Sequence, residues 1–109
     1  MWVFTETGFV SAICKSGDLF QVRSRDHQSL EDLAVKSEVE IIKTPQGDYP
    51  YRVEVTREQF IAWTAEQIEF ITYKNFKSHV QDTRGYEFVH PLHQVWDVMH
   101  QVEDKEARG

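Results

Sequence analysis

The sequence has few of the residues that cross-link a chain or interrupt its regular structure. Its 109 residues include one cysteine, Cys14, three prolines and five glycines. A single cysteine excludes an internal disulfide and a thiolate metal cage, and it is typical of proteins in a reducing, cytoplasmic compartment. The chain has no proline-rich or low-complexity linker. We therefore predict one domain over residues 1–106, followed by a frayed tail at 107–109.

Long apolar runs and an excess of positive charge are also missing. Nowhere in the chain do about 18 apolar residues follow one another, the length that a membrane-spanning helix needs. The first segment, MWVFTETGFVSAICKSGD, has neither the basic start nor the apolar stretch of a signal peptide. The formal net charge of −6 disfavours general binding to nucleic acid or anionic membranes, although it permits a local basic patch. We expect neither a membrane nor a nucleic acid as the main partner.

Known catalytic motifs are absent from the sequence. The chain has no G-x-S-x-G segment for a nucleophilic serine, and no glycine-rich loop of the G-x-G-x-x-G or phosphate-binding kind. Cys14 has no activating neighbour in its own segment, and in a strand such a residue packs as a small hydrophobe. The sequence therefore predicts no cofactor, and it favours a protein that is not an enzyme.

The chain does have the apolar surface that a core needs, because 40% of its residues are hydrophobic and 13% are aromatic. WVFTETGFVSAIC is predicted to be one extended segment bent at Gly8, and it turns at KSGD into the alternating LFQVRSR. A helix in DHQSLEDLAVKS follows, and EVEII and YRVEV then flank the turn KTPQGDYP. With three more helices, the predicted order is ββαββααα. This order indicates a two-layer α+β fold, a four-stranded, mainly antiparallel sheet with the helices on one face.

The three C-terminal helices are predicted from their caps and apolar stripes. TREQ, residues 56–59, matches a capping box in which Thr56 and Gln59 satisfy each other's backbone N–H groups. Apolar residues cover well over half of the helix that follows, so we expect segments 73–83 and 90–106 to cover its far side. Pro91 is predicted in the first turn of the last helix, where its missing N–H costs nothing.

Three side chains of the last helix form a candidate metal or acid–base site. His93, Asp97 and His100 are spaced i, i+4, i+7 and therefore share one stripe of an α-helix. Two imidazoles and a carboxylate are suitable ligands for a divalent metal, or suitable groups for proton transfer. The other interpretation is a boundary stripe in which His and Asp are half exposed and bond to each other, since the pattern lacks the fixed neighbours of H-E-x-x-H.

Alternation along the strands predicts a second candidate site. Three arginines of the second and fourth predicted strands point away from the apolar positions: Arg23, Arg25 and Arg52. They lie on the opposite face of the predicted sheet, and no amphipathic segment of the chain remains to cover that face. Tyr49, in the segment DYPYR, completes the candidate binding set and is assigned to the core side of its strand. Cross-strand pairing of the arginines with Glu40 and Glu54 is the alternative explanation for this charge.

Several segments together resemble a group of short uncharacterised proteins of bacteria and their phages. They are MWVFTETGFVS, VRSRDHQSLEDL, DYPYRVEV, YKNFKSHV and the VW of HQVWDVMH, and they extend over nearly the whole chain. This chain differs from the group at VRSR, where the group leads us to expect a small apolar residue between the two arginines. It implies a single intracellular domain, and it assigns no activity and no catalytic residue.

The leading functional hypothesis is a non-enzymatic domain that binds a partner protein through the open face of its sheet. A small metal-dependent or acid–base enzyme, built on the stripe of the last helix, is one alternative. A nucleotide- or RNA-binding sheet is another, because exposed arginines and aromatic rings can contact phosphates and bases. A free sheet edge near Pro50 is also compatible with a homodimer, although proline disfavours strand pairing at an edge.

Overall fold

The structure, a computed structural model, describes residues 1–109 and confirms the α+β class. Its strands are β1 (Trp2–Thr5), β2 (Gly8–Ser16), β3 (Leu19–Ser24), β4 (Ile42–Lys43) and β5 (Tyr51–Thr56). Its helices are α1 (Gln28–Ser37), α2 (Arg57–Glu69), α3 (Phe76–Arg84) and α4 (Tyr86–Val98). Neighbouring strands are antiparallel in the order β1-β2-β3-β5-β4. None of the helices is both long and apolar enough to cross a lipid bilayer.

The sheet has five strands where four were predicted, because the bend expected at Gly8 is a complete reversal of the chain. Trp2 pairs with Ser11 and Thr5 with Gly8, so the single extended segment of the prediction is the hairpin β1–β2. The hydroxyl of Thr5 accepts a hydrogen bond from the backbone N–H of Thr7 at 3.2 Å and supports the turn. The observed order is therefore βββαββααα.

The main core lies between the inner face of the sheet and helices α1 and α2. Alternate residues of β2, β3 and β5 point into it, and they meet the apolar stripe of α1. The buried members are Val10, Ala12, Val22, Leu30, Leu33, Ala34, Val53, Val55, Phe60 and Trp63. The indole N–H of Trp63 donates to Asp32 at 3.0 Å, so the one polar atom of this large buried side chain is satisfied.

Helix α2 begins as predicted, but its far side is not covered. Thr56 Oγ1 accepts from the N–H of Gln59 at 3.1 Å, and Gln59 Oε1 accepts from the N–H of Thr56 at 2.8 Å, which confirms the capping box. Ile61, Ile68 and Ile71 remain exposed, so the prediction that downstream helices cover them is wrong. The apolar circumference of a helix shows how much surface favours burial, but not which segment buries it.

Helices α3 and α4 pack against each other instead. Val80, Val89 and Leu92 form a second buried cluster, and this cluster contacts the sheet through Phe4. Phe4 alternates with Val3, which packs on the main core, so Phe4 points to the outer face of the sheet. The prediction of all helices on one face is therefore wrong for the α3–α4 pair.

The last helix also differs from its predicted bounds. It begins at Tyr86, directly after Gly85, so Pro91 lies inside the helix and not in its first turn. Because proline has no N–H, one backbone hydrogen bond of the helix is missing at that point. The α-helix ends at Val98 and continues as a 3-10 helix over Met99–Val102.

A polar junction, made of Arg84, Asp26 and Ser29, joins the α3–α4 pair to the β1–β2 turn and to the start of α1. The Arg84 side chain is only 8% exposed and forms a salt bridge with Asp26. It also donates to the carbonyl of Thr7 at 2.7 Å and to Ser29 Oγ at 3.3 Å. Ser29 Oγ accepts from the N–H of Phe9 at 3.1 Å, so the junction connects three parts of the chain.

Tyr73, which lies just before α3, has a perturbed pKa. The ring of Tyr73 stacks on His79 with centroids 4.5 Å apart, and His79 Nε2 lies 2.6 Å from a carboxylate oxygen of Glu6. Burial, and then the negative charge of Glu6, raise the pKa of the Tyr73 phenol above its ordinary value of 10.0. The folded state therefore holds this proton more tightly than the unfolded chain does. The stabilisation that results is fully present below the pKa of the phenol in the unfolded chain. It is lost as pH rises through the higher pKa of the phenol in the folded protein.

When phenolate absorbance is followed against pH, the parent protein should show one tyrosine that ionises at higher pH than an ordinary tyrosine. We expect Tyr73→Phe to abolish this late transition. The variant should also lose less stability at alkaline pH than the parent protein, measured by urea unfolding across the same range. Tyr86→Phe, at an exposed tyrosine, is the matched control. Persistence of the late transition in Tyr73→Phe would contradict the assignment.

Candidate functional site

The outer face of the sheet, opposite α1 and α2, carries a row of residues that crosses all five strands in register. The row consists of Trp2, Ser11, Arg23, Arg52 and Ile42. Trp2 and Ile42 are exposed at its two ends, and the arginines at its centre are half-buried. The structure thus places Arg23 and Arg52 on the face that strand alternation indicated.

Arg23 and Arg52 are direct cross-strand partners on β3 and β5, and neither forms a salt bridge within the chain. Like charges in directly opposite positions of a sheet destabilise the pair. The alternative explanation, pairing with Glu40 and Glu54, is not found: Glu54 bonds to Lys15 at 2.6 Å, and Glu40 forms no salt bridge. The positive charge at the centre of the row is therefore uncompensated by this chain.

Tyr49 belongs to the same site, although it was assigned to the core side. Its ring is buried, and the guanidinium carbons of Arg23 and Arg25 lie 4.7 Å and 4.4 Å from its centroid. The assignment to the core side is wrong because β5 begins only at Tyr51, after Pro50, and side-chain alternation does not extend back into the turn. The cation–π contacts hold the ring against the arginines.

Most donors of the central arginines have no acceptor within the chain. Arg23 donates one hydrogen bond, from Nη2 to Ser11 Oγ at 3.0 Å, and Arg52 donates one, from Nη2 to the carbonyl of Tyr49 at 3.3 Å. A guanidinium group has five N–H donors in a planar fork. The Nε atoms of both arginines are buried without a partner. These buried Nε atoms are out of reach of a ligand, and the unpaired N–H groups at the Nη positions are the ones that can donate to a carboxylate or phosphate group.

The turn between β4 and β5 closes against one side of this site. A Cβ at Gly47 would lie 2.7 Å from Nη2 of Arg52, so the backbone of the turn closely approaches the guanidinium group at this residue. Arg25 is more exposed than the central pair, donates to the backbone carbonyl of Asp48 and lies 3.9 Å from its carboxylate. All four residues of the predicted binding set are therefore brought together, with Arg23 and Arg52 at the centre.

Sequence reasoning did not include Ser11 and Gly47 in this site. Ser11 is buried against Arg23, and its signal was its position between the apolar residues Val10 and Ala12 of β2. Alternation places such a polar residue on the outer face once β2 is recognised as a strand of its own. Gly47 carried no such signal, because a glycine in a turn is expected in any case.

The histidine stripe is not brought together as a metal site. No group of three or more His, Cys, Asp or Glu side chains has an arrangement that could hold a metal ion. Trp96 separates the two imidazoles, with its ring centroid 5.4 Å from that of His93 and 4.8 Å from that of His100. The spacing i, i+4, i+7 assumed one continuous α-helix, but His100 lies in the 3-10 helix that follows α4, beyond Asp97.

Comparisons of the chain with models of protein families, with curated proteins and with solved structures found no match.

Proposed function

We propose that this protein is a non-enzymatic binding domain that recognises a partner protein through the outer face of its sheet. Arg23 and Arg52 receive a carboxylate of the partner, Tyr49 holds the guanidinium groups in place, and Arg25 lies at the rim. The observation that carries the proposal is the direct opposition of two arginines with no acidic partner from the chain itself. A bound carboxylate offsets their mutual repulsion and accepts their free donors.

The overall charge of the chain favours a carboxylate ligand over a polynucleotide. The chain has six more acidic than basic residues, a net charge of −6, so a long polyanion is repelled by most of the surface. A single acidic side chain or a chain terminus reaches the arginines without that penalty. A nucleic-acid ligand predicts instead a steep loss of affinity with added salt, because many phosphates release their counterions on binding.

We expect random peptides selected for binding to the full chain to be rich in Asp and Glu. In the double variant Arg23→Gln/Arg52→Gln the dissociation constant of these peptides, measured by fluorescence anisotropy, should rise by about thirtyfold, the effect of removing an interfacial hot spot. The melting temperature should change little, since the relief of a like-charge repulsion offsets the loss of two hydrogen bonds and of the cation–π contact between Arg23 and Tyr49.

The control variant is Arg57→Gln/Arg108→Gln, which changes the net charge by the same amount at two arginines away from the outer face. It should bind the selected peptides as the parent protein does. Peptides without acidic residues, or equal affinity for the parent and the Arg23→Gln/Arg52→Gln variant, would overturn the proposal. Tight binding of a single-stranded oligonucleotide with steep salt dependence would favour the nucleic-acid alternative.

A further inference from the structure

An apolar groove of about 460 Å³ lies where the α3–α4 pair meets the outer face of the sheet. Its apolar walls are formed by Phe4, Phe76, Leu92, Val95 and Trp96. Trp96 is 52% exposed and Val95 39% exposed, so the groove is open along one side. Its size is within the range of pockets that take one large side chain or a small ligand.

Two lysines at the groove indicate the charge of its occupant. Lys74 and Lys77 line it, and neither has a salt bridge within the chain. Lys77 Nζ lies 4.4 Å from the ring centroid of Trp96 and 3.2 Å from His93 Nδ1, contacts that leave its positive charge without an anion. In a chain with a net charge of −6, two free ammonium groups beside an apolar groove favour an acidic occupant with an apolar side chain.

The groove and the arginine pair belong to one continuous surface. Phe4 pairs with Phe9, their ring centroids are 4.7 Å apart, and Phe9 lies two residues before Ser11 on β2. Ser11 pairs in turn with Arg23. Two strand spacings across the sheet and two residues along it separate Phe4 from Arg23 by about 12 Å, the length of about three to four residues of an extended peptide.

We infer that the partner presents an extended acidic segment whose large apolar side chain enters the groove and whose carboxylate, about three to four residues away, reaches Arg23 and Arg52. Further acidic residues beside the apolar anchor meet Lys74 and Lys77. The inference rests on the proposed function and adds to it the class of partner sequence and the spacing of its two determinants. The groove then supplies buried apolar contact, and the arginines supply register and charge selectivity.

The peptides selected on the full chain test this inference through their spacing and through groove variants. We expect a Leu, Ile, Met, Phe or Trp at about three to four positions from an Asp or Glu. Trp96→Ala should raise the dissociation constant of these peptides by about thirtyfold. Lys74→Glu/Lys77→Glu should raise it by about tenfold. Lys105→Glu/Arg108→Glu, the same charge reversal in the C-terminal segment, should have little effect.

The outcomes separate this inference from the function on which it rests. If Arg23→Gln/Arg52→Gln weakens binding while Trp96→Ala and Lys74→Glu/Lys77→Glu do not, the groove is not part of the site and the inference is overturned, while the proposed function stands. If the arginine variant has no effect, both fail. A parent protein that sediments as a dimer, and as a monomer after Trp96→Ala, would show that a second copy of the chain occupies the groove. Selection of no peptide at all would also overturn the inference.

Discussion

Replacing Arg84 with alanine is expected to lower the free energy of unfolding by about 3 kcal/mol. The substitution removes the centre of the polar junction: Asp26 loses its salt bridge, and Ser29 Oγ and the carbonyl of Thr7 each lose the hydrogen bond that Arg84 donates. Breaking one partner of a buried ion pair costs about 3–5 kcal/mol, and the lower end applies because the Asp26 side chain is 39% exposed and water can solvate it.

The measurement is urea unfolding followed by far-UV circular dichroism, with Arg108→Ala as the control. Arg108 also forms a salt bridge, with Glu103, but its side chain is 79% exposed, so its loss should change stability by less than about 0.5 kcal/mol. Arg84→Met keeps the apolar stem near Phe88 and should recover part of the loss. A loss below about 1 kcal/mol for Arg84→Ala would show that the junction does not hold the α3–α4 pair in place.

Replacing Gly8 with alanine is expected to destabilise the fold by about 3 kcal/mol or more, for two additive reasons. Gly8 has a φ of 145°, and a side chain in such a conformation costs about 1–3 kcal/mol. A Cβ would also lie 2.0 Å from Ser29 Oγ, 2.8 Å from Ser29 Cβ and 2.6 Å from Arg84 Nη1. The side chain of Ser29 is almost fully buried and the polar junction surrounds it, so neither neighbour can move away without losing hydrogen bonds.

Gly17→Ala is the matched control, because Gly17 also has a positive φ, 51°, but nothing lies within 4 Å of its added Cβ. It should cost only the conformational strain, about 1–2 kcal/mol. Urea unfolding of the two variants then separates strain from contact. A double variant, Gly8→Ala/Ser29→Gly, should lose less stability than the sum of the losses of its two single variants, because the contact between Cβ and Ser29 is absent once that side chain is removed. Equal destabilisation by Gly8→Ala and Gly17→Ala would refute the contact with Ser29.

The parts of the fold that were predicted well depend on neighbours in the sequence. The inward positions of β3 and β5 follow from alternation, and the start of α2 follows from Thr56 and Gln59, which bond to each other three residues apart. The division of the first segment into β1 and β2 was missed, since Glu6 and Thr7 form a turn without the glycine or asparagine that usually marks one. The reversal depends on Thr5 and on the close approach of Gly8 to Ser29, which is distant in the chain.

The candidate site, too, was predicted correctly where it depends on neighbours in the sequence and incorrectly where it depends on distant contacts. Alternation was sufficient to place Arg23 and Arg52 on the outer face, because parity within a strand is a local property. It failed for Tyr49, whose position depends on how the turn 44–50 folds against Arg52 and on cation–π contacts with a different strand. Helical spacing likewise failed for His100, because the change from α to 3-10 geometry after Val98 alters the direction in which later side chains point.

The sequence by itself determined the α+β class, the inner and outer faces of the central strands and the absence of a known catalytic motif, since each follows from residues a few positions apart. Only the tertiary structure decided that β3 pairs with β5, that Arg23 faces Arg52 without an acidic neighbour, and that the α3–α4 pair leaves α2 open and forms a groove beside Phe4. These features are contacts between segments distant in the chain, and the free energy of packing selects among several arrangements that satisfy the local patterns equally well.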